Sequence, residues 1–115
     1  MAAGWIAKSI RAKIESRDNM TCCYCGKACT SYKDRSNETD YATLDHIVSR
    51  WEIAQTCESD AEYNHKIKDP MTLVVVCNGC NSSKKHTPLY IWCNKKGYNY
   101  TAIIAEIARR IAISI

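Results

Sequence analysis

Leu73-Val74-Val75-Val76-Cys77-Asn78-Gly79-Cys80-Asn81-Ser82-Ser83-Lys84 decides how this chain is read. The Val74–Val76 run is its strongest strand signal. The run passes without a spacer into Cys77-Asn78-Gly79-Cys80, and Asn81 opens a short helix towards His86 with Lys84 one turn on. The stretch therefore predicts strand, knuckle and helix in direct succession. C-x-x-C spacing puts two thiolates on one tight turn, where both reach a tetrahedral ion at ~2.3 Å.

Cys22-Cys23-Tyr24-Cys25 repeats that spacing, and Gly26 supplies the positive φ of the turn that follows. Two knuckles complete a structural zinc site of Cys22, Cys25, Cys77 and Cys80. Cys23 could replace Cys22, although Cys23-x-Cys25 is the poorer spacing. The eight cysteines could instead form four disulfides. Against that stand the paired knuckles and the lack of an apolar h-region in Met1–Ile14. Cys29, Cys57 and Cys93 have no partner at metal spacing and read as small buried apolar side chains. Thiolate ligands imply a reducing compartment.

The 115 residues have the size of one domain, expected to span 1–115. With 46% hydrophobic and 24% charged residues, a mainly disordered chain is excluded. No apolar run approaches the ~20 residues of a membrane helix, so no membrane partner is expected. A net charge of +4 gives only modest attraction to a polyanion.

Ile6, Ile10 and Ile14 predict an amphipathic helix over about residues 3–16, ended by the turn Arg17-Asp18-Asn19. Lys8, Arg11 and Lys13 fall mostly on its other faces; they could touch a polyanion, but a solvated side is the commoner explanation. Tyr41–Val48 is a strand candidate. Short helices are expected from Trp51, Ile53 and Ala54 and over Asp60–Ile67, before a break at Asp69-Pro70. Helices over about 88–113 follow, with Gly97 as a C′ residue and Thr101 capping the last one. That last helix carries Ile103, Ile104, Ile107, Ala108 and Ile111 on one stripe. The tryptophans and tyrosines read as core or rim rather than base-stacking platforms.

Between the knuckles lies Leu44-Asp45-His46-Ile47. Adjacent strand residues point to opposite faces, so one of the Asp45–His46 pair can face a metal and the other a water. An imidazole titrates near 6.5 and suits proton removal at neutral pH. A carboxylate, an imidazole, the oxygen of Asn81 and Lys84 about one strand-to-helix junction suit a phosphodiester. The bland alternatives are a packed strand histidine for His46 and a helix cap for Asn81. His86 is a third candidate ligand, a phosphate contact or a helix-end residue; His65 reads as a surface residue.

The order Cys22-x-x-Cys25, Asp45-His46-Ile47, Leu73-x-x-x-Cys77-x-x-Cys80-Asn81-x-x-Lys84 resembles the zinc-containing HNH endonucleases over roughly residues 15–90. Arg17-Asp18 and Cys25-Gly26-Lys27 resemble the family's lead-in. The resemblance implies an α+β protein with a ββα-metal (His-Me finger) core: a hairpin of Tyr41–Val48 with Thr72–Cys77, then a helix Asn78–His86. It implies DNA as substrate, His46 as general base, and Asp45 and Asn81 as ligands of a catalytic divalent cation, Mg²⁺ foremost. Lys84, Lys85 and Arg50 would contact the phosphate backbone. The products would be 5′-phosphate and 3′-hydroxyl ends. The family's settings imply a bacterial or phage-infected cytoplasm, with phage or mobile-element proteins as further partners. Thr72 stands where the family usually carries Asn; Asn64 and Asn78 are the nearest substitutes. The competing function is a weakly active or inactive zinc module that binds DNA or a protein.

Overall fold

The computed structural model describes residues 6–34, 36–48 and 50–113. In chain order these form α1 (Lys8–Arg17), β1 (Ala42–His46), α2 (Arg50–Thr56), α3 (Asp60–Ile67), a 3₁₀ turn (Pro70–Thr72), β2 (Leu73–Cys77), α4 (Asn78–Lys84), α5 (Leu89–Lys96) and α6 (Tyr100–Ile111). The protein is a small α+β structure with a two-stranded antiparallel sheet and helices about it. Leu44 faces Val75, Asp45 faces Val74 and His46 faces Leu73 across the ladder.

All five residues of β2 are buried, because the strand is covered on both faces. Period-2 alternation sends Val74 and Val76 to one side, where they meet Cys22, Tyr24, Trp92, Ile103 and Ile107. Leu73 and Val75 go to the other, against Ile14, Ala42, Ile6 and Ile10. Each fully buried Val or Leu of β2 contributes about 1.5–3 kcal/mol. Ile53 and Ile67 close a smaller cluster between α2 and α3.

The outer edge of β2 is covered by charged side chains and a knuckle rather than by a third strand. Val75 N donates to Asp18 Oδ2 at 2.7 Å, and Val75 O accepts from Cys23 N at 2.9 Å. Arg17 Nη2 donates to Leu73 O at 2.6 Å while its Nε meets Asp18 Oδ1 at 2.6 Å. Arg110, reaching in from α6, lies 3.3 Å from Asp18 Oδ2, binds Glu106 at 2.6 Å and donates to Thr21 O at 2.9 Å. Arg17, Asp18 and Arg110 are all buried. With Glu106 on Arg110 the two cations meet two carboxylates and their donors are placed, which is the condition under which buried ions persist.

Several element ends differ from expectation. The expected helix over 3–16 is described from Lys8 to Arg17, and its first residues, with Trp5, lie outside the described residues. The first strand stops at His46, and Thr72 belongs to the 3₁₀ turn, although Ile47 N still donates to Thr72 O at 2.8 Å. The helix after the second knuckle ends at Lys84, because Lys85 takes a φ of 50°. Asn99, not Thr101, caps α6: its side chain accepts from Ala102 N at 3.0 Å. Gly97 does take the left-handed C′ conformation, with φ 73°. On α6, Ile103 and Ile107 are buried, whereas Ile104 is exposed and Arg110 fills the inward place.

Replacing Asp18 by Ala leaves the buried Arg17 guanidinium without its carboxylate and takes from Arg110 one of its two, Glu106 remaining. Asp18→Ala is expected to lower the urea-unfolding free energy by about 3–5 kcal/mol; a loss below about 1 kcal/mol contradicts this account of the β2 edge.

Candidate metal centre and cation cavity

The first knuckle is built by local backbone bonds: Cys22 N donates to Lys27 O at 2.8 Å, Gly26 N to Cys22 O at 3.0 Å, and Gly26 takes φ 78°. The second lies where β2 passes into α4. Gly79 N donates there to Thr39 O at 2.9 Å, and a β-carbon on Gly79 would lie 3.3 Å from that oxygen. The ligand atoms of Cys22, Cys25, Cys77 and Cys80 all lie within 4.8 Å of one another. Cys25 and Cys77 have their sulphurs 3.8 Å apart. That separation is the edge of a tetrahedron whose metal–sulphur bonds are ~2.3 Å.

The charges of the cluster call for a cation. Cys22 is held down to about 4, chiefly by the thiol of Cys80 hydrogen-bonded to it. The same contact pushes Cys80 up, and burial raises Cys77. Without a metal, Cys22 is thus held as the thiolate while Cys77 and Cys80 keep their protons, and a divalent ion supplies the charge that lets those two ionise. Four cysteines so arranged could hold a metal ion such as zinc. Cys23 and Cys29 are each raised to about 12, chiefly by burial, and stay outside the ligand set. None of the eight cysteines is in a disulfide. Cys93 is buried, and Cys29 and Cys57 partly so, as apolar side chains.

A second cluster of polar side chains lies against β1. Asp45, His46 and Asn81 line one cavity of about 680 Å³. Asp45 is buried, and its Oδ2 accepts from Tyr24 Oη at 2.6 Å and pairs with Lys84 Nζ at 3.2 Å. The Tyr24 hydroxyl is driven well above its ordinary pKa by burial and then by the Asp45 charge, so it remains a donor. Asn81 Nδ2 donates to Thr43 Oγ1 at 2.9 Å, and Thr43 Oγ1 donates onward to Val76 O at 2.9 Å. His46 Nε2 lies 2.9 Å from the carbonyl of Ile67. A carbonyl only accepts, so Nε2 carries the hydrogen and Nδ1 the lone pair. Burial, first, lowers the His46 pKa, which keeps the ring neutral at pH 7.

Each of the three side chains is thus tied by one end. Among the described residues, Asp45 Oδ1, Asn81 Oδ1 and His46 Nδ1 have no hydrogen-bond partner. Lys8, Arg11, Arg50, Lys85 and His86 also line the cavity, so cationic groups outnumber its one carboxylate.

Arg50, Lys85 and His86 are exposed at the cavity, where they can meet a ligand. Lys84 departs from its expected task. Its ammonium is buried and committed to Asp45 rather than presented outward. Among the described residues the Thr72 hydroxyl bonds only locally, to Lys66 O and Asp69 O, and Asn78 Nδ2 binds Glu38 O. Asn64 Oδ1 is buried without a partner among the described residues. Sequence reasoning missed Tyr24, whose one signal is its place inside the knuckle. It ranked polyanion contact below a solvated face for Lys8 and Arg11, which the packing of Ile6, Ile10 and Ile14 carries to the cavity wall.

Compared with known proteins, the chain matches no protein-family model, no curated protein and no solved structure.

The purified chain is expected to hold one zinc ion, and to give the absorption bands of tetrahedral thiolate coordination when loaded with Co²⁺. Cys77→Ser should lose the metal and most of its thermal stability, while Cys29→Ser keeps both. Full zinc in Cys77→Ser contradicts the four-sulphur site.

Proposed function

We propose that this chain is a metal-dependent DNA endonuclease of the HNH type. In this reading β1, β2 and α4 form a ββα-metal core, and the four-cysteine site holds structural zinc. The observation that supports it most is the set of three unpartnered lone pairs, two oxygens and one imidazole nitrogen, on a cation-rich cavity. Mg²⁺ prefers oxygen ligands and keeps several waters, so two protein oxygens suffice to hold it.

Asp45 Oδ1 and Asn81 Oδ1 would hold that cation, which when bound neutralises charge on the scissile phosphate and the leaving oxygen. His46 takes the proton of the attacking water on Nδ1, and the Ile67 carbonyl holds the ring in the tautomer that leaves Nδ1 bare. Arg50, Lys85 and Lys8 contact backbone phosphates, which positions a strand without reading its sequence. The reaction is hydrolysis to a 5′-phosphate and a 3′-hydroxyl. The second reading, an inactive zinc module for DNA or a protein partner, draws on one feature: Lys84 already neutralises Asp45.

Zinc-loaded protein with Mg²⁺ or Mn²⁺ is expected to nick supercoiled plasmid, and His46→Ala to slow it by about 10²–10⁴-fold. Equal rates in both rule out His46 as base. The pH dependence has a fixed sign. The base works as the neutral ring, and burial lowers its pKa, so the rate should hold down to the ordinary histidine value of ~6.5 and fall only below it. An acid limb centred above ~6.5 contradicts the buried-base assignment.

A further inference from the structure

Asp45 has its two carboxylate oxygens in different circumstances. Oδ2 receives both protein partners, Tyr24 Oη at 2.6 Å and Lys84 Nζ at 3.2 Å; Oδ1 receives none among the described residues. Tyr24 is itself fixed. Its ring is buried and packs on Trp92 with centroids 5.4 Å apart, and it is the residue immediately before Cys25 in the first knuckle. The turn that gathers two sulphurs of one cluster therefore also delivers the hydroxyl that orients the carboxylate of the other.

We propose that Tyr24 is a positioning residue for a divalent cation: it clamps Oδ2 so that Asp45 offers Oδ1 as a single ligand oxygen, and it ties that geometry to the four-cysteine knuckle. Lys84 shares the clamp with the opposite effect, since its ammonium repels an arriving cation. The inference rests on the reading of Asp45 as a cation ligand. A partner that orients a ligating carboxylate is worth about 10–100-fold in metal affinity.

The test is a Mn²⁺ titration of the zinc-loaded full chain, reading free Mn²⁺ by electron paramagnetic resonance. Wild type should bind one Mn²⁺, and Asp45→Asn far more weakly. Tyr24→Phe keeps the ring against Trp92, so zinc content and melting should change little while Mn²⁺ affinity falls about 10-fold. Nicking by that variant should need correspondingly more Mn²⁺ yet approach the wild-type rate at saturation, a split that a purely structural role would not produce. Wild-type Mn²⁺ affinity in Tyr24→Phe overturns the proposal. Lys84→Met supplies a second arm that does not depend on the first variant folding: it should tighten Mn²⁺ binding several-fold. Weakening as severe as in Asp45→Asn would make Lys84 the positioning group and overturn the assignment to Tyr24. Tyr24-dependent Mn²⁺ binding in a protein that cuts no DNA upholds the clamp and overturns the nuclease reading; no Mn²⁺ binding in wild type overturns both.

Discussion

Four sulphur atoms drawn into one small volume constrain the rest of the molecule. Cys25 and Cys77 are 52 positions apart in sequence, yet their sulphurs are 3.8 Å apart. Closing so long a loop costs chain entropy, and a thin core supplies little to offset it. Once the knuckles meet, Cys23 N reaches Val75 O, Tyr24 reaches Asp45, and β2 gains an edge partner. The metal affinity of such a cluster is folding free energy, because no assembled site exists in the unfolded chain.

The second constraint is electrostatic. Arg17, Asp18 and Arg110 cover the free edge of β2 with a buried ion network, and a β edge left bare is an aggregation hazard. Around Asp45 the same economy recurs in polar form: one oxygen is bound inward, as one nitrogen of His46 and the amide nitrogen of Asn81 are bound inward. Satisfying one end of each group lowers the cost of burying it and fixes where the other end can be used.

Signals carried within a few residues were legible in the sequence. The Val74–Val76 run marked β2, Asp60–Ile67 was bounded correctly as a helix, Gly97 ended α5, and C-x-x-C spacing identified the sulphur cluster. Asp45, His46 and Asn81 were singled out and do share a cavity. Long-range partners were not legible. Arg110 reads as a helix-end cation until its contacts with Thr21 and Asp18 are seen. Lys84 reads as an outward lysine because nothing local says that Asp45 lies beside it. Asn99 took the cap from Thr101 because two polar residues compete for one role within a turn. Trp51, read as core or rim, is 67% exposed, while Trp92 is core.

Under the proposed function, two distinct ions belong to two distinct ligand sets. Anomalous scattering from crystals of the zinc-loaded chain soaked in Mn²⁺ tells them apart. A zinc peak is expected among the four sulphurs and a manganese peak in contact with Asp45 and Asn81, beside His46 Nδ1. Manganese bound elsewhere, or absent while Asp45 stays paired to Lys84, would contradict it.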